Sequence, residues 1–156
     1  MSEIIKLNDA KIGAQKYINR VCIKLERHND LKYKIETSNE AASLLCDLMR
    51  DYDREHFVTL LLDKKKNLNS IYEVSVGTLE GSLVHPREVF KAAILANSAY
   101  IIAAHNHPSG DETPSEEDIK VTAILKNCGE ILNIPVLDHI IVGNECYYSF
   151  RERGIM

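Results

Sequence analysis

The sequence predicts an α/β domain organised on a mixed sheet. Strand-length apolar runs alternate with helical stripes through the second half of the chain, the pattern of an α/β fold. Two earlier runs, Phe57 to Leu62 and Leu68 to Val76, are separated only by a short polar segment, as in a strand and its return. At 156 residues, 45% of them hydrophobic, the chain is long enough to bury one core without staples.

The first residues say least. Ile4, Ile5, Leu7 and Ile12 fit a short helix or an arm. Val21, Ile23 and Leu25 alternate with Cys22, Lys24 and Glu26, the period of two of a strand. His28 to Thr37 is polar and loop-like. Ser38 stands before Ala41, Ala42, Leu44, Leu45, Leu48 and Met49, a helical stripe for which Ser38 is the expected N-cap. We place an N-terminal arm at 1–37 and one domain at 38–156. In that domain Phe57 to Leu62 is a compact apolar strand, and the lysine-rich turn from Asp63 to Asn67 is a solvated hairpin tip. Gly77 stops the return strand, and after a loop through Gly81, Pro86 opens a helix from Arg87 to Asn97. Tyr100 to Ala104 is a short buried strand. Ser115 to Leu132 is the longest helical pattern, and Ile134 to Val142 and Cys146 to Phe150 close the chain as strands around a turn at Gly143-Asn144.

Bulk composition excludes more than it assigns. With 19 basic and 23 acidic residues the formal charge is −4, so charge gives no support to nucleic-acid binding, although a local basic patch is compatible with it. There is no apolar run of transmembrane length and no signal-peptide pattern, from which a cytoplasmic protein is expected. Cys22, Cys46, Cys128 and Cys146 form no C-x-x-C pair, which argues against a thiolate zinc site or a disulfide framework; buried free thiols are expected.

Chemistry concentrates between residues 105 and 118. His105 and His107 follow the apolar run Tyr100 to Ala104, and a Pro- and Gly-bearing loop leads to Ser115 and Asp118. Residues two apart on a strand face one side, with Cα atoms roughly 6–7 Å apart, so both imidazoles can reach one ion. Asp118 returns through the loop and the first helical turn. Two nitrogens and one carboxylate with a fourth position open is the pattern of a catalytic zinc site rather than a closed structural one. Ser115 and Asp118 also match a capping box, in which Asp118 merely supports the helix start. The H-x-E with P-C-x-x-C of nucleobase deaminases is absent, as are H-E-x-x-H, a phosphate-binding glycine loop and a G-x-S-x-G elbow.

At these residues the chain resembles the JAMM (MPN+, JAB) metalloprotease superfamily, whose H-x-H, Ser and Asp fall on His105, His107, Ser115 and Asp118. The string His105-Asn-His-Pro-Ser-Gly110, with Leu137-Asp-His-Ile-Ile-Val142 and Tyr148-Ser-Phe150, is similar to the bacterial RadC branch. The resemblance covers roughly 38–156. It implies a three-layer α/β/α sandwich related to the cytidine-deaminase-like fold, and one Zn²⁺ per chain held by the two histidines and Asp118. It also implies an upstream Glu as general acid/base before an apolar strand, which selects Glu55 where spacing alone leaves Glu73, Glu80 and Glu88 open. Fuller RadC-like proteins resemble a helix-hairpin-helix module fused ahead of this domain; the single Gly13 before Gly77 leads us to expect no such module in 1–37.

Three readings follow. The first is a zinc-dependent hydrolase of a peptide or isopeptide amide in a protein or peptide substrate, with Glu55 as base and Ser115 as oxyanion donor. The second is a binding protein of DNA repair or recombination whose metal is structural or vestigial. The third is a scaffold that only recruits a partner, which the retained ligand set opposes. His139 reads first as a strand-embedded histidine with a hydrogen-bonded ring, and second as a group approaching the site. His28, His56 and His85 read as loop or surface residues, and Pro108, Ser109 and Gly110 as loop-shaping ones.

Overall fold

A computed structural model of the chain describes residues 33–77 and 84–156. The expected strand around Val21 to Leu25, the helix or arm before it, Cys22 and Gly81 lie outside the described residues. The described elements run α1 (Ser38–Met49), β1 (His56–Leu62), β2 (Leu68–Val76), α2 (Pro86–Leu95), β3 (Tyr100–Asn106), α3 (Glu116–Leu132), β4 (Val136–Val142) and β5 (Tyr147–Ser149). The strands form one mixed sheet in the order β2-β1-β3-β4-β5. Only β3 and β4 are parallel, and α3 makes the crossover that a parallel pair requires.

Burial explains why β1 and β3 are nearly continuous apolar runs while β2 alternates. Both inner strands are covered on their two faces. Val58, Leu60 and Leu62 share a cluster with Ala41, Ala42, Leu45 and Met49 of α1. Phe57 and Leu61 share another with Val89, Phe90 and Ala93 of α2 and Leu125 of α3. Alternate residues of one strand thus serve two separate cores. Among the described strands β2 pairs with β1 alone, and it shows the alternating exposure of an edge strand.

Local chemistry sets the helix starts. The cap of α1 is Thr37, not the expected Ser38, because only Thr37 has a glutamate three residues on. Its hydroxyl accepts from the Glu40 amide at 3.2 Å, and the Glu40 carboxylate accepts from the Thr37 amide at 3.0 Å. Ser38 is instead a buried first helical residue. His85 is exposed, as expected, and caps α2 with Nδ1 accepting from the Arg87 amide at 3.1 Å. His56 departs from expectation: it opens β1, with Nδ1 2.8 Å from Glu73 and its ring stacked on Tyr52. Cys46, Cys128 and Cys146 are free but half-buried rather than buried.

Gly129 marks where α3 meets β4. A Cβ there would lie 2.7 Å from the backbone oxygen of Ile134 and 3.2 Å from the Val136 amide nitrogen, and neither is the end of a flexible side chain. Elsewhere in a helix Gly→Ala stabilises by about 0.5–1 kcal/mol. Gly129→Ala should do the opposite, lowering stability by about 1–3 kcal/mol in urea unfolding, as overpacking does.

Candidate metal centre

The site lies at the carboxyl ends of β3 and β4, where open α/β sheets place their ligands. His105 is on β3 and 1% exposed. His107 follows the strand, and its amide donates to the Val142 carbonyl at 3.0 Å, which extends the β3–β4 pairing by one step. Asp118 comes from the first turn of α3. One ligand atom from each of the three lies within 4.8 Å of the others, the one such group among the described residues. His105 Nε2 is 3.1 Å from Asp118 Oδ1 and 3.1 Å from His107 Nε2, and His107 Nε2 is 3.6 Å from Asp118 Oδ2.

The capping box and the ligand set prove to be the same residues. Ser115 accepts from the Asp118 amide at 3.2 Å, and its own amide and hydroxyl donate to Asp118 Oδ2 at 2.7 and 2.6 Å. That occupies Oδ2 and leaves Oδ1 facing His105. The structural and functional readings of Ser115 and Asp118 therefore coexist. Restraining a carboxylate at a helix N-terminus also suits its charge to the helix dipole.

Glu55 stands across the sheet from His107. β1 and β3 pair antiparallel as far as Phe57 opposite His105, and Glu55 lies two residues before that pair, on the side toward which β3 runs on to His107. Its charge is close enough to support a proton on His107. Its backbone is fixed on two sides. Gly77 donates to the Glu55 carbonyl at 2.7 Å. Asn106, the middle residue of the H-x-H step, accepts from the His56 amide at 2.8 Å and donates to the Arg54 carbonyl at 2.9 Å. Asn106 thus brackets Glu55 from its two chain neighbours, a role invisible in the sequence.

His139 combines both of its expected readings. It is buried in β4, its ring stacked on Phe150 at 5.1 Å and tilted against Phe57 at 5.5 Å. Its Nε2 lies 3.0 Å from His105 Nδ1 and its Nδ1 lies 2.6 Å from Thr122 Oγ1. Asp138, its neighbour, faces away and latches the chain end, accepting from Ser149 Oγ at 2.7 Å and the Arg151 amide at 3.0 Å. Thr122 was missed by sequence reasoning; its one signal is a spacing of four from Asp118 on the same helix face.

Protons reflect this crowding. The hydrogen bond with Asp118 raises the His107 pKa, partly opposed by burial and aided by the Asp111 carbonyl, which lies 2.6 Å from Nδ1. Burial pushes the Asp118 carboxyl up, but hydrogen bonds from His105, His107 and Ser115 outweigh it and hold the group well below the usual carboxylate range. Burial, helped by the charge of His105, holds His139 well below the usual histidine range, so its ring is neutral.

A cleft of about 450 Å³ opens beside His107, between Met49 and Arg50 at the end of α1 and the loop residues Ser109 and Asn144. A larger hollow of about 910 Å³, bordered by Asp63, Ser98 and Asn133, lies at the other end of the strands and contains no candidate ligand. Gly110, φ +82°, turns the loop after His107, and its amide donates to the His107 carbonyl at 2.9 Å.

Comparison with known proteins agrees with this geometry. Residues 35–155 match the family model of the RadC-like JAB domain. The chain belongs to that family. It is 51% identical over 123 residues to a UPF0758 protein of Staphylococcus haemolyticus, covering 79% of this chain and 54% of the relative. A UPF0758 protein of Desulfitobacterium hafniense is 52% identical over 78% of this chain and 54% of its own length. Over 99% of this chain, a UPF0758 protein of Clostridium beijerinckii is 42% identical, with 69% of its length covered. For the first two relatives, this RadC-like chain spans about half of the protein it matches.

Two outcomes follow for the metal-free protein. A raised His107 pKa contributes stability that is complete below its ordinary value of 6.5 and is lost as pH rises through the folded value. The depressed Asp118 pKa contributes stability that is present above 3.8 and lost as pH falls toward the folded value. Urea midpoints measured across pH should therefore fall on both flanks for wild type, and Asp118→Asn should flatten both. Asn106→Ala should leave the His56 amide without its partner and cost about 1–3 kcal/mol in the same measurement.

Proposed function

We propose that this RadC-like JAB domain is a zinc-dependent hydrolase that cleaves a peptide or isopeptide amide. The observation that carries the reading is the convergence of His105, His107 and Asp118 with Glu55 held across the sheet from His107. Two neutral imidazole nitrogens and one carboxylate oxygen suit zinc and leave a coordination position for substrate chemistry. Bound there, the ion supplies Lewis-acid polarisation and water activation near neutral pH.

The protein's own groups divide the remaining work. Glu55 takes the proton of the attacking water and passes it to the leaving amine. Ser115 turns its hydroxyl from Asp118 Oδ2 toward the developing oxyanion, a contact whose loss costs about 100- to 1,000-fold in comparable sites. The cleft beside His107 gives a peptide chain room to approach from the α1 side. The same reading makes the two-sided core the three-layer α/β/α sandwich of JAMM domains, and the substrate a protein or peptide in the cytoplasm. The net charge of −4 gives no support to DNA binding as the principal role.

Metal analysis and peptide-library cleavage test the proposal. Purified protein should hold one zinc per chain, and His107→Ala should lose it. Glu55→Gln should keep the zinc and cleave about 100- to 10,000-fold more slowly, the range for loss of a general base. Equal cleavage by Glu55→Gln would remove Glu55 from its role, and zinc-free wild type would end the hydrolase reading. Zinc affinity should also weaken about tenfold per pH unit below the His107 pKa, because one proton must leave Nε2 for the metal to bind.

A further inference from the structure

We propose that Thr122 and His139 are positioning residues of the metal centre: they form a hydrogen-bonded chain that decides which nitrogen of His105 carries its proton. The inference rests on the metal-binding part of the reading above.

The chain starts at a group whose role cannot change. The backbone oxygen of Asp118 can only accept, and Thr122 Oγ1 donates to it at 2.6 Å, a bond back across one helical turn that threonine readily makes. Thr122 has one hydroxyl proton, which this contact uses. At 2.6 Å from His139 Nδ1, the same oxygen must then act as acceptor, so His139 carries its proton on Nδ1. A neutral imidazole has one such proton. His139 Nε2 is therefore a bare acceptor, and the His105 Nδ1 that faces it at 3.0 Å must donate. The remaining nitrogen of His105 is Nε2, which faces the atoms of His107 and Asp118 and, once the proton it shares with Asp118 has left, would offer a metal its lone pair.

The two histidine ligands thus reach one end state by different routes. His107 Nδ1 ends directly on a backbone carbonyl, that of Asp111 at 2.6 Å. His105 Nδ1 faces His139 instead and reaches its carbonyl through two side chains. That carbonyl belongs to Asp118, so one residue supplies both a metal ligand and the anchor of another ligand's proton. Solvent does not substitute for a link, since His139 is 1% exposed and Thr122 5% exposed, with Phe57 and Phe150 around the histidine.

Thr122→Val removes the hydroxyl at nearly constant shape, and Thr122→Ser restores it. Zinc dissociation constants, measured by chelator competition at fixed pH, should rise about 10- to 100-fold in Thr122→Val, the usual effect of losing a partner of a metal-bound histidine. Thr122→Ser should stay close to wild type. Nitrogen-15 NMR of the wild-type imidazoles should place protons on Nδ1 of both His105 and His139, with zinc on His105 Nε2. Unchanged zinc affinity in Thr122→Val would overturn the chain, and so would a His105 proton on Nε2 with zinc on Nδ1. If Thr122→Val fails to fold, the wild-type NMR decides alone. Wild type that binds no zinc would instead overturn the metal reading, a result distinct from either of these.

Discussion

Strand β3 is hydrogen-bonded along both edges, antiparallel to β1 and parallel to β4, and the register of those two ladders composes the site. It sets Phe57 beside His105 and brings Glu55 near His107 from one side, while the parallel partner brings His139 behind His105 from the other. A one-residue slip of β1 would turn Phe57 into the other core and carry Glu55 to the far face, because side chains alternate. Burial of apolar residues on both faces of β1 and β3 makes such a slip expensive. The centre's precision therefore derives from the two cores, not from the loop that carries its motif.

α3 adds the second constraint. Its N-terminal turn holds Asp118 through Ser115, and its next turn presents Thr122 to His139. One rigid element thus fixes a ligand and the support of another ligand, which rotation about a flexible loop could not achieve. Gly129 lets the far end of the same helix pack closely on the segment entering β4, so the contact that seats α3 lies well away from the residues it positions. Stability and site geometry are coupled through this helix.

Belonging to the RadC-like JAB family agrees with a metal-binding arrangement and leaves the substrate to experiment. The cleft at His107 is walled by α1 on one side and by the loops after β3 and β4 on the other. Those elements carry no part of the hydrogen-bonded network behind His105. Variation on the α1 wall of the cleft can therefore alter what is bound without disturbing the network behind His105.

Apolar period and turn residues were enough to place the strands from β1 onward and the three described helices, because those signals act over a few residues. The clustering of His105, His107 and Asp118 was legible for the same reason: they lie within one strand, one loop and one helical turn. Glu55 is singled out only through the family pattern, since nothing local separates it from other glutamates. The capping residue of α1 was misplaced by one position because Thr37 and Ser38 are both good caps and the choice turns on Glu40. Asn106 and Thr122 needed the tertiary structure, and so did the joining of the two readings of His139. Their partners are contacts across strands and between helix and strand, and a linear sequence specifies which groups are available to hydrogen-bond but not which of them pairing and packing bring within reach.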